Sequence, residues 1–260
     1  MYPLQTTTRL HHRWCTLGHD MVRVLCGVWL LGTGAGFAQT DDPTPGWTYK
    51  LTPSRYLSNA ETPGTDLNLR ASIPGHTWWV GHYQRAAEFQ QTRLGYERTQ
   101  PWTWGQWTLS LQAATQGFAG GSLSTQMGTD AVYALWGYGR TNAHPYYNLN
   151  FDPNDAWTWG VGGQLPGSAT LSVFRVQDNR LDTEQRNTHA VVRWPLGLRD
   201  RLSLDLAYKT GRPEAGSPPV QGHSWSVTYD LHPWFIHGVR DQHVNYSPAD
   251  QVRLSLGVRF

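Results

Sequence analysis

Along most of the chain apolar and polar side chains alternate one for one, the period of a strand with two unlike faces. The cleanest run is at the end, where Val252, Leu254, Leu256, Val258 and Phe260 share one face and Arg253, Ser255, Gly257 and Arg259 the other. Residues 156–165 set Trp157, Trp159, Val161 and Leu165 against Thr158, Gly160, Gly162 and Gln164. Residues 201–209 set Leu202, Leu204, Leu206 and Tyr208 against Arg201, Ser203, Asp205 and Lys209. Residues 222–231 set Trp225, Val227, Tyr229 and Leu231 against Ser224, Ser226, Thr228 and Asp230. Weaker runs of the same kind cover 67–73, 76–84, 88–98, 105–115, 130–138, 168–177 and 187–196, with 117–128 and 144–151 as further candidates. Turn residues separate the runs, and from Asp66 onward no amphipathic helix of normal length interrupts them. The chain therefore predicts an all-β fold of up-and-down hairpins with about twelve to fourteen antiparallel strands.

The one long apolar run, 24–38, breaks this pattern. It follows Arg23, is shorter than the ~20 residues of a spanning helix, and suits the apolar region of a signal peptide. Gly36-Phe37-Ala38 predicts cleavage before Gln39, and Met21 is an alternative start. Cys26 lacks the small preceding residue that lipidation requires. Cys15 and Cys26 both precede the cut, so a disulfide framework and thiolate metal sites are not expected in the mature chain. Of the 21 basic and 19 acidic side chains only three and one lie before it, which leaves the mature chain near neutrality and argues against a nucleic-acid partner. All but two of the 14 Trp and all but one of the 12 Tyr follow the cut. Rings that are apolar with one polar edge belong at a lipid–water boundary. The competing reading of that aromatic load is a soluble β-sandwich or secreted barrel with a Trp-rich core.

A terminal strand that is apolar on one face, cationic on the other and ends on an aromatic suits a closed barrel in lipid. With the export signal and the strand pattern, it resembles the last strand of Gram-negative outer-membrane β-barrel proteins, where a final Phe is a recurrent feature read by the assembly machinery. The resemblance implies a transmembrane antiparallel barrel in the bacterial outer membrane, with Phe260 as assembly signal and outer-membrane lipid and the assembly machinery as partners. It names no substrate. Residues 1–38 are then the signal peptide, 39–65, rich in Asp, Thr, Pro and Gly, a periplasmic lead-in, and 66–260 the barrel. The alternation Trp47-Thr48-Tyr49-Lys50-Leu51 is able to add a strand or plug segment. With Phe260 placed in the periplasm, the short connections 165–168, 196–200 and 231–234 become periplasmic turns and the longer 178–186 and 211–221 extracellular loops, provided 234–245 holds a strand. Counting further back puts the tight turn Ile73-Pro74-Gly75-His76 on the outer side, where it fits poorly.

The densest polar segment is 144–155. Asp152, Asn154 and Asp155 are hard oxygen ligands at a spacing Ca²⁺ accepts, but Asp-Pro and Asn-Asp are also strong turn formers. The turn is the favoured reading, and no metal or other cofactor is expected. Within 144–151, His144, Tyr146, Asn148 and Asn150 alternate with Tyr147, Leu149 and Phe151, as in a strand with a polar lumen row. No catalytic set emerges: His223 and Ser224 are adjacent and point to opposite faces of a strand, while His76, His82 and His189 have no partner nearby in sequence. Gly117-Phe118-Ala119-Gly120-Gly121 lacks the following Lys-Ser or Lys-Thr of a phosphate cradle. The remaining signal is charge. Arg193, Arg201, Asp205, Lys209, Asp230, Arg253 and Arg259 all fall on the predicted lumen face, with both signs close together. These observations predict a porin-like narrow channel for small polar solutes. A lipid-modifying enzyme and a non-conducting structural or adhesive barrel are the alternatives.

Overall fold

The computed structural model describes residues 46–86, 88–142, 144, 146–149, 152, 153, 155–180, 182–197 and 200–260. The signal-peptide expectation for 1–38 and the calcium candidate Asn154 lie outside these residues. Fourteen antiparallel strands follow one another around a closed barrel in which the last pairs with the first. They are β1 (Thr48–Ser58), β2 (Gly64–Ile73), β3 (His76–Arg85), β4 (Phe89–Trp102), β5 (Gly105–Ala114), β6 (Phe118–Gly128), β7 (Tyr133–Thr141), β8 (Ala156–Gln164), β9 (Thr170–Asp178), β10 (Arg186–Pro195), β11 (Arg201–Gly211), β12 (Val220–Leu231), β13 (Trp234–Asp241) and β14 (Gln251–Arg259). This is the up-and-down barrel that alternation predicts, and closure leaves no unpaired sheet edge.

Each strand turns a row of mostly apolar residues outward, so the usual rule of burial is largely inverted, although some apolar side chains such as Trp79, Phe174 and Phe235 also point inward. Leu206 is 63% exposed and Leu254 55%, while Asp205 and Ser255 beside them are buried. Leu, Val, Ile and Trp form this outer surface around the whole barrel, far more apolar area than a water-soluble protein exposes. Aromatic rings border the belt on both sides: Trp47, Tyr49, Trp78 and Phe260 cluster at one end, Tyr138 packs on Trp157 toward the other. The pattern is that of a barrel wall set in lipid. Among the described residues no helix is long and apolar enough to cross a membrane.

The two ends differ. At the end that holds Phe260, adjacent strands join through tight connections such as 74–75, 103–104 and 232–233. At the opposite end lie the longer segments 142–155, 179–185, 212–219 and 242–250. Close packing on the inner face explains two glycines: the rings of Trp79 and Phe235 occupy the space where side chains at Gly95 and Gly257 would begin.

Two sequence expectations change. The segment assigned to the lead-in contains a full barrel strand: β1 pairs with β2 over Thr48↔Ser72 to Tyr56↔Gly64 and with β14 over Lys50↔Arg259 to Ser58↔Gln251. Conversely, 144–151 is not a wall strand, because β7 pairs directly with β8 from Tyr133↔Gly162 to Tyr138↔Trp157. One strand is gained and one lost, so the total stays at fourteen. The strand connections between β1 and residue 142 therefore change sides, and the Pro74-Gly75 turn joins the other tight turns at the Phe260 end. The misfit at Gly75 came from counting 144–151 as a crossing.

Candidate functional site

Around 14 strands enclose a wider space than the ~8-strand barrels that wall side chains fill unaided. Among the described residues it is occupied by inward-facing side chains, many of them charged, and by two loops folded in from the long-loop end.

The wall charges are paired level by level. At the Phe260 end Asp230 sits between Arg201, at 2.9 Å, and Arg259. On the other side of the lumen Arg93 pairs with Asp66, and Arg70 lies 3.7 Å from Glu97. Further up, His189 stands between two carboxylates, with Nδ1 2.9 Å from Asp205 and Nε2 3.1 Å from Asp152, and its ring stacks on Phe174 at 4.7 Å. Near the long-loop end Lys209 donates to Asp241, which also accepts from Ser224. Lys209 Nζ lies 5.6 Å from the Tyr246 ring. Both signs are thus taken up locally, so the interior carries a mixed rather than a one-signed field.

Between β7 and β8, the described residues Tyr146, Asn148, Leu149 and Asp152 of the segment 142–155 lie buried within the barrel. The base of the segment is tied down by Asp155, which accepts from the Thr141 backbone N–H at 2.8 Å and its hydroxyl at 2.9 Å and pairs with Arg180 at 2.5 Å. Its interior residues reach walls on several sides. Tyr147 donates its hydroxyl to Glu61 at 2.9 Å and its backbone N–H to Gln91 at 3.0 Å, and its ring stacks on Tyr83 at 5.2 Å. Arg253 donates to the Leu149 carbonyl at 3.1 Å, and Asp152 accepts from Asn187 at 2.5 Å. Tyr146 stacks on Phe118 at 4.1 Å. The second loop, 242–250, meets the first where Asn245 donates to the Asn148 carbonyl at 3.1 Å. Burial pushes the Tyr147 and Tyr246 phenols above their ordinary values, so both stay protonated there. The closure is tight: Arg93 is 1% exposed, and Asn187, His189 and Lys209 are 0% exposed.

All seven lumen candidates take inner positions in their strands. Arg201 and Arg259 share Asp230, whereas Arg253 reaches Tyr56, Leu149 and His237. Asp205 and Lys209 join the His189 and Asp241 clusters, and Arg193 is buried on the inner face of β10. Sequence reasoning missed the charged half of the lumen on β2 and β4, although Arg70, Arg93 and Glu97 sit on the polar face of runs it had identified. It also missed the role of 142–155, because a loop that fills a cavity carries no periodic signature. The two described calcium candidates are drawn apart, Asp152 to Asn187 and His189, Asp155 to Arg180 and Thr141. Among the described residues no cluster of His, Cys, Asp and Glu has the arrangement to hold a metal ion. His223 faces outward and Ser224 inward, as adjacency in a strand requires. His76 and His82 find partners across strands, Tyr96 at 2.8 Å and Thr92 at 2.9 Å.

No protein-family model matches the chain, and no curated protein matches its sequence. Its fold does have solved counterparts. It is similar to the outer membrane protein Omp33 of Acinetobacter baumannii, with a TM-score of 0.51 and 9% identity over 82% of this chain and 98% of that one. It is also similar to the KdgM porin (TM-score 0.46, 9% identity, 81% of this chain and 99% of that one) and the NanC porin (0.46, 6%, 80% and 98%). At such identities the likeness is one of fold: an outer-membrane type of β-barrel.

Proposed function

We propose that this chain is an outer-membrane channel for small polar solutes whose lumen is closed, in the conformation described here, by the segment 142–155. The observation that carries this reading is how the closure is attached. β7 and β8 pair with each other directly, and backbone bonds from Asn142 N–H to Ala119 O and from Asn179 N–H to Asp155 O hold the segment's two ends, so the residues between those ends can leave the lumen without breaking the β7–β8 ladder. Many of its contacts are hydrogen bonds and ion pairs, which water replaces when the loop withdraws. Once it has withdrawn, a path runs past Lys209, Asp205, Arg193, Arg253, Arg201, Asp230 and Arg259, where both signs favour small polar or zwitterionic solutes over apolar ones. In this reading the long loops are extracellular, the tight turns are periplasmic, and Phe260 is presented to the assembly machinery. Export through a cleaved leader ending at Ala38 belongs to the same reading.

The test is conductance in planar bilayers of the wild type and of a variant in which residues 143–154 are replaced by a short Gly/Ser linker. Folding of both is checked by heat-modifiable migration. The variant is expected to conduct steadily and the wild type rarely. A folded variant that never conducts would sink the proposal in favour of a permanently closed barrel, a reading that the dense ion pairing of the lumen supports.

A further inference from the structure

Charge is sorted across the wall as strictly as hydrophobicity is. The carboxylates carried by the described strands, Asp66, Glu97, Asp178, Asp205, Asp230 and Asp241, all occupy inward positions. Arginine is not confined in this way. Arg55, Arg140, Arg175, Arg186 and Arg240 stand exposed on the outer wall, all in the half nearer the long loops, and Arg98 is their counterpart in the other half. The outer wall near the long-loop end is thus cationic with no strand carboxylate to balance it.

The arginines come closest on β9 and β10. Arg175 lies opposite Thr188, and Gln177 lies opposite Arg186, so the two cations are diagonal neighbours on one face. Side chains so placed have Cβ atoms roughly 7–8 Å or less apart, and like charges at that spacing repel. Arg175 Nε donates to Thr188 Oγ1 at 3.2 Å, which turns the guanidinium along the wall toward β10. On the other side Trp159 is the register partner of Arg175 and Trp157 that of Gln177. Below the pair, toward the middle of the wall, the outward residues are Val161, Val173, Ala190 and Val192. Of the acids in the adjoining loop, Glu184 lies 4.0 Å from Arg212. Arg140 is excluded from the site because it already lies 3.8 Å from Asp155 and donates to Asn179 at 3.3 Å.

We infer that Arg175 and Arg186 form a binding site for the phosphate groups of a lipid in the leaflet at the long-loop end. An anion between them relieves their repulsion, and the planar guanidinium fork matches phosphate oxygens two at a time. The apolar wall immediately below requires that the anion carry hydrocarbon chains, which run down over Val173 and Val161. Tryptophans beside the arginines sit at the height where headgroup meets chain. The site rests on the barrel lying in a membrane and is independent of whether the lumen conducts.

The full barrel in neutral detergent is titrated with diphosphorylated lipid A, with the same lipid after removal of its phosphates, and with inorganic phosphate, and its thermal unfolding is followed. The phosphorylated lipid is expected to raise the unfolding temperature by several degrees, and the other two to have little effect. The Arg175→Gln/Arg186→Gln double variant is expected to need at least tenfold more lipid for the same shift, whereas Arg98→Gln responds like the wild type. Equal stabilisation by the dephosphorylated lipid or by inorganic phosphate overturns the proposal, as does an unchanged response of the double variant. Should the double variant fail to fold, native mass spectrometry of the wild type supplies the second measurement. At least tenfold more phosphorylated than dephosphorylated lipid retained upholds the site, and equal retention refutes it. A non-conducting channel variant leaves these outcomes untouched, so failure of the two proposals can be told apart.

Discussion

Replacing Asp152 by Ala tests the closure at its most buried polar contact. Asp152 is 1% exposed; its Oδ1 accepts from Asn187 Nδ2 and lies 3.1 Å from His189 Nε2. With the loop docked, the substitution puts a methyl group where Asn187 and His189 face the carboxylate; with the loop withdrawn, water solvates both side chains. A hydrogen bond to a charged group contributes about 1.5–3 kcal/mol, and partial rehydration of the space vacated by the carboxylate sets the loss at roughly 2–4 kcal/mol against the closed state. At about 1.4 kcal/mol per factor of ten, the ratio of open to closed barrels rises roughly 30- to 1000-fold. The wall contributes none of these atoms to its ladder, so the folded barrel survives. Single-channel recording in planar bilayers reads the open probability directly, and heat-modifiable migration verifies folding. Asp152→Asn keeps the shape and one acceptor oxygen and is expected to fall between wild type and Asp152→Ala. A folded Asp152→Ala barrel with the open probability of the wild type would refute the reasoning, since it would mean that the His189 cluster does not hold the loop.

Two further predictions address the wall and the loop. Leu206→Arg, in the middle of the outer face of β11, is expected to destabilise the barrel in bilayers by about 2–4 kcal/mol and Thr210→Arg, near the strand's end, by about 0–1 kcal/mol; urea unfolding from vesicles measures both, and equal costs would contradict the placement of the apolar belt. Because burial raises Tyr147 above its ordinary value of 10.0, its contribution to closure is complete below about pH 10 and is lost as pH climbs through the higher value of the docked loop. Open probability is therefore expected to increase above pH 10 in the wild type. Tyr147→Phe, which cannot ionise and lacks the bond to Glu61, should start higher and lack this component of the rise.

The wall was legible because each of its residues answers a local question. In β11, β12 and β14 one face meets lipid and the other the lumen, so polarity alternates with the pleat and assigns each side chain a face from sequence alone. Where both neighbours of a residue are protein, that signal fails. Tyr146, Asn148 and Leu149 are all buried although they fall on both faces of a notional strand, and their alternation imitated a crossing that does not exist. The lead-in failed in the opposite way: Pro53 and the outward Arg55 obscure the pattern of β1, whose place is secured by pairing with a strand about two hundred residues away. The two errors cancelled in the strand count and surfaced only as a turn on the wrong side at Gly75.

The terminal run beginning at Val252 established from sequence that this protein is an alternating barrel wall with charge turned inward, because a strand between lipid and lumen records both environments in consecutive residues. Which charges meet, and whether the lumen is open, was decided only by the closed barrel. Arg253 finds the Leu149 carbonyl from 104 residues away and Asp152 finds His189 from 37. Such contacts depend on closure bringing opposite walls and the loop between them within hydrogen-bond reach, a distance that no local pattern encodes.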